Sequence, residues 1–144
     1  MAKRTTQGVE LRLSNGESPE VFTAIAQVGD VNPSLGSKTE IDATDLASVA
    51  EEIILGLRRG GSITCTLHFD PKLNAHKDLF DEYIDPTPTA RRYQIGFNTG
   101  SPEATLTAEF FVQGFDLGLA TDDIQSADVT LRLTGGIETA NWGA

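Results

Sequence analysis

Two histidines, one cysteine and a few clustered carboxylates are the residues of this 144-residue chain with side chains suited to catalysis or metal binding. A general base or nucleophile has to sit within hydrogen-bond reach of the group that activates it. His76 falls on the apolar stripe of an expected helix, where a ring packs rather than exchanges protons. His68 lies on the polar side of an expected strand, with no carboxylate beside it in sequence. Cys65 alternates with Ile63, Leu67 and Phe69, so it reads as a small core residue. Being the only cysteine, it forms no internal disulfide and gives little support for a metal site.

Sequence motifs for catalysis or phosphate binding are missing as well. No GxSxG, HExxH, Walker A or GxGxxG pattern occurs. The nearest glycine cluster, Leu57-Arg58-Arg59-Gly60-Gly61, lacks the preceding strand and following helix of a phosphate cradle. It reads as a turn with two solvated arginines or as a cationic contact to an acidic neighbouring subunit. The pairs Asp122 with Asp123, Asp42 with Asp45 and Glu51 with Glu52 lack the alternating ligands of a calcium loop. Of these, Asp42 stands at a strand end, where it either bonds an adjacent backbone or closes a local Asx turn. No cofactor and no metal is expected, and an enzyme is the weakest class for this chain.

The elements that would carry these residues are mostly strands punctuated by turns, the pattern of an all-β sandwich or barrel. Residues 8–13 alternate and stop at Asn15-Gly16, predicting a hairpin whose second strand starts near Glu20 and continues to Gly29-Asp30. Residues 31–37 read as turn, because Pro33 and Gly36 discourage both helix and ladder. A strand follows at 61–69, then a helix starting at Asp70-Pro71 and ended by the prolines after Asp85. Three more strands complete the domain: 91–97, a long one from 104 with a bulge near Gly114, and a last one from 126 with Ala127, Val129, Leu131 and Leu133 inward.

Between these elements lies a connection that does not resemble a loop. From Glu40 to Gly61 it carries Ile41, Leu46, Val49, Ile53, Ile54, Leu55 and Leu57, whereas connections in compact domains are short and polar. Residues 44–57 could form a helix capped at Thr44 or Asp45; the preferred alternative is an extended arm with a short strand around 52–55. Either way, part of this segment is expected to lie against another surface.

The composition fits one soluble domain, residues 1–144: 39% of residues are apolar, and no run approaches the roughly 20 needed for a membrane helix. The first residues, MAKRTTQGVELRL, lack the apolar core of a cleaved signal, so synthesis in a cytoplasm is expected. A net charge of −10 disfavours a phosphate-gripping surface. It suits either solubility or a surface that must not adhere to a polyanion.

Taken in order, these pieces resemble the tail tube proteins (major tail proteins) of long-tailed, non-contractile bacteriophages. The resemblance is carried by the early hairpin, IDATD, the block GLRRGGSITCTLHFDP, one helix containing HKDLFDEY, YQIGF, and FFVQGFDLGLATDDIQSADVTLRLTGGI. It implies a β-sandwich or barrel-like tail tube fold flanked by one α-helix, with a long loop after the second strand that reaches a neighbouring subunit or ring. It also implies a non-enzymatic virion tail subunit made in the host bacterial cytoplasm, whose hexameric rings stack into a tube. Tape measure and tail tip or terminator proteins would be its partners, and DNA would pass the acidic lumen without specific binding. Ile41, Asp42, Ala43, Thr44, Leu46, Ile53, Ile54, Leu57, Arg58 and Arg59 are the expected subunit contacts. Other possibilities are a tube subunit of a contractile tail or secretion-type machine and a monomeric β-sandwich binding module.

Overall fold

The computed structural model describes residues 7–16, 19–47 and 49–143. The first six residues, including the early basic ones, lie outside that description, as does Ser48 within the apolar connection. The fold is mainly β, with nine strands and one helix among the described residues. These are β1 (Glu10–Ser14), β2 (Phe22–Ala24), β3 (Val28–Ser34), β4 (Ser37–Asp42), β5 (Ile53–Arg59), β6 (Ser62–His68), α1 (Asn74–Ile84), β7 (Arg91–Gly96), β8 (Thr105–Gly118) and β9 (Ser126–Ala140).

Seven strands form one antiparallel sheet in the order β2-β1-β7-β8-β9-β6-β3, while among the described residues β4 and β5 pair only with each other. The long strands β8 and β9 form its spine. Their two halves have different neighbours: β7 pairs with residues 105–110 of β8, and β6 with residues 126–132 of β9. Register shifts at Ala108/Glu109 and Val112/Gly114 bend the spine between those halves, including the bulge expected near Gly114. Leu11, Leu13, Ile63, Cys65, Leu67, Tyr93, Ile95, Phe110, Val129 and Leu131 belong to one buried cluster, so the sheet curls around a single core.

Strict alternation decides which side chains reach that core. In β6, Ile63, Cys65 and Leu67 are buried, and in β9 so are Ala127, Val129, Leu131 and Leu133, as the sequence pattern required. The helix lies over β8 through an aromatic group in which Phe115 meets Phe69, Phe80 and Tyr83. Two polar contacts pin the helix down. Tyr93 Oη donates to Glu82 Oε2 at 2.7 Å, and Arg91 donates to Glu82 Oε1 at 3.0 Å.

Three expectations need correction. The segment from Glu20 to Val28 is not one strand: β2 ends at Ala24, and Gln27 at φ 60° turns the chain so that β3 crosses to pair with β6. Along that segment Val21, Ala24 and Ala26 are exposed. Pro33 does not end the ladder, because β3 is the sheet edge, where a missing N–H costs no pairing. The helix starts at Asn74, with Asp70 instead closing a separate turn through its carboxylate to Lys72 N and its carbonyl to Leu73 N.

The apolar connection therefore follows the third strand, not the second. No helix forms at 44–57. The extended arm forms, as the two-stranded ribbon β4–β5 with its tip at residues 43–52.

Candidate assembly interface

The ribbon is built from both ends. At its root, Gly36 has φ +88°, and a Cβ there would lie 2.5 Å from the carbonyl oxygen of Arg59. Gly61, at φ +109°, is equally constrained, since its Cβ would meet Leu133 Cδ2 at 2.8 Å. These two glycines let the chain leave and re-enter the sheet at nearly one point. Arg58 then fixes the direction of the ribbon, donating to Leu35 O at 3.2 Å and to Gly135 O of β9 at 2.9 Å.

The tip is closed by its own polar groups. Ala43 N donates to Glu52 O at 2.9 Å, and the Thr44 hydroxyl both donates to Glu52 O and accepts from Glu52 N. Asp42 accepts from Thr44 N at 2.9 Å, so the Asx turn is what forms. That backbone N–H, followed by the Thr44 hydroxyl, holds the Asp42 carboxyl below its usual value.

Between root and tip the ribbon is apolar on both faces. Pairing places Ile41 opposite Ile54, and Ile53 and Leu55 on the other face, with Leu57 at the register shift beyond them. Ile53 is 49% exposed, Ile54 57% and Leu57 78%, while Leu46 at the tip is fully exposed. An isolated two-stranded hairpin is marginal in water, and an apolar one exposes surface that monomers do not normally carry. The structure thus brings the expected contacts Ile41, Asp42, Ala43, Thr44, Leu46, Ile53, Ile54, Leu57, Arg58 and Arg59 onto one projecting element. Arg58 differs from the rest in committing its side chain to two carbonyls of its own chain; it and Ala43 are half-buried. Leu55 and Val49, omitted from those contacts, are also exposed; the unbroken apolar run in β5 was the signal for Leu55.

The chemistry-bearing residues are occupied elsewhere. His76 is fully buried, its Nδ1 accepting from Asp70 N at 3.1 Å and its Nε2 lying 2.6 Å from Ala26 O. With Nδ1 an acceptor, Nε2 carries the hydrogen, and the ring ties the helix start to the β2–β3 corner. Cys65 is buried, and among the described residues no cluster of histidine, cysteine and carboxylate groups can hold a metal ion.

A family model described as phage tail tube, lambda-like, matches residues 2–124. The chain belongs to the lambda-like phage tail tube family. As a member, it is a structural tube subunit with its place in the virion tail. The tail tube fold also appears in solved structures. A chain in the tail of an empty gene transfer agent particle, solved with C6 symmetry, superposes with a TM-score of 0.75 at 14% identity, covering 96% of this chain and 99% of that one. The SPP1 tail tube gives 0.72 at 9% identity, covering 94% and 77%. The sheath-tube complex of an extracellular contractile injection system, PVC, gives 0.68 at 13% identity, covering 92% and 87%. At such identities the likeness concerns the fold alone. No curated protein matches the sequence.

Proposed function

We propose that this tail tube protein assembles into hexameric rings that stack around an acidic lumen, each subunit reaching a neighbour through the β4–β5 ribbon. One observation carries the proposal: the ribbon exposes Ile41, Ile53, Ile54, Leu55 and Leu57 while, among the described residues, pairing with no strand of the seven-stranded sheet. Burial of those side chains is completed by a second subunit, and the hydrophobic gain, about 25 cal/mol per Å² of apolar surface, drives polymerisation. The related gene transfer agent tail has C6 symmetry, which supports sixfold rings. A net charge of −10 suits a conduit through which DNA slides without adhering.

The role is structural and non-enzymatic. Tape measure, tip and terminator proteins complete the assembly, and the subunit is synthesised in the bacterial host cytoplasm. Negative-stain microscopy of purified protein beside the Ile53→Asp variant tests the proposal. Tubes from the wild type and folded, unpolymerised variant support it; normal tubes from the variant refute the role of the ribbon.

A further inference from the structure

The charges of the ribbon are sorted along its length. Toward the tip stand Glu40, Asp42, Glu51 and Glu52, and at the root stand Lys38 and Arg59, with Arg132 one strand away opposite Ser62. Register makes the gradient explicit along the ribbon. Asp42 opposes Ile53 and Glu40 opposes Leu55, then comes Leu57, and Arg59 opposes Ser37. Acid at the tip thus gives way to exposed aliphatic side chains and then to base over about 20 Å of strand.

The root cations are also uncommitted. Arg12, Arg91 and Arg92 are all engaged by carboxylates, but Lys38, Arg59 and Arg132 have no ion pair among the described residues. Glu40, Glu51 and Glu52 likewise lack a cationic partner there. Glu51 and Glu52 at the tip stand about a strand's length from Lys38 and Arg59, too far to neutralise them within the ribbon. A second copy can supply both partners.

Resting on the ribbon as the assembly element, we infer that its cationic root is the acceptor for the acidic tip of another copy. Contact is then heterologous: tip on root, and the next tip on the next root. An acid-to-base gradient laid antiparallel on itself would close as a dimer, whereas tip-to-root contact in one direction passes from copy to copy, as a ring or a stack of rings requires. Between the charged ends, Ile53, Leu55 and Leu57 supply the apolar contact, while the charges set direction and register.

Three full-length variants test this. Lys38→Glu with Arg59→Glu reverses the root, and Glu51→Lys with Glu52→Lys reverses the tip. The third variant carries all four changes. Each reversed variant is expected to lower the pelletable tube fraction at least about tenfold, and the quadruple variant to recover it to within about twofold of wild type. Near-normal tubes from both reversed variants would overturn the inference, and so would loss in all three without recovery. Ile54→Asp, run in parallel, reports on the ribbon itself: its failure to polymerise beside indifferent charge variants keeps the ribbon and discards the tip-to-root contact.

Discussion

Arg58 of the ribbon donates a hydrogen bond to the carbonyl oxygen of Gly135 in β9 at 2.9 Å, and this one contact couples the projecting arm to the spine of the sheet. Gly135 lies within the register shift that bends β9 against β8, so the arm is aimed by the same irregularity that curls the core. Arg58→Ala removes that aim without opening the buried cluster. Thermal unfolding should stay close to wild type, with a loss of about 1 kcal/mol, while tube formation slows several-fold in light scattering. An unchanged polymerisation rate would show that the arm needs no anchoring.

Gly36→Ala tests the pinch at the root. The left-handed backbone and the 2.5 Å approach of a Cβ to Arg59 O both oppose the methyl group. A destabilisation of about 1–3 kcal/mol is expected, with fast hydrogen exchange confined to 37–42 and 53–59. Uniform exchange over the whole sheet would instead make the root part of the core.

The sequence was most legible where one rule acted alone. Alternation placed Ile63, Cys65 and Leu67, and likewise Ala127 through Leu133, because each of those strands has one buried face. It failed where tertiary position overrode local preference. Gln27 at positive φ splits two strands with no glycine to signal it, and edge position lets Pro33 stay in a ladder. Asp70-Pro71 carries helix-start chemistry, yet that aspartate is used in a turn and His76 takes the amide hydrogen of residue 70. For the ribbon, apolar content gave away the need for a partner, but periodicity near 44–57 could not separate helix from strand, since both faces of β5 are apolar.

Tyr93 and Glu82 make a buried-edge contact that orients the helix, with Tyr93 Oη donating at 2.7 Å. Tyr93→Phe deletes the donor while keeping the ring in its edge-on contact with Phe110. A cost of about 1–2 kcal/mol is expected in denaturant titration, partly offset because Arg91 still engages Glu82. A neutral result would mean that water replaces the phenol without loss.

Alkaline pH should weaken the fold through two buried groups. Burial first, and then the Asp128 carboxylate, push the Cys65 thiol from 9.0 up to about 12. Burial and the Glu82 charge also raise Tyr93 well above its ordinary value of 10.0. In both cases the unfolded chain loses its proton first, so the contribution to stability is whole below about pH 9 and declines as pH rises toward 12. Denaturation midpoints should therefore fall steadily above pH 9, and Cys65 should resist thiol reagents at pH 8 until the protein unfolds. Rapid labelling of the native protein would place the thiol outside the core.

Cryo-electron microscopy of tubes polymerised from the purified protein tests the central claim most directly. Sixfold rings in which Ile41, Ile53, Ile54 and Leu57 of each ribbon are buried against a neighbouring subunit are the predicted result. Tubes in which the ribbons project into solvent, with those side chains as exposed as in the single chain, would contradict it.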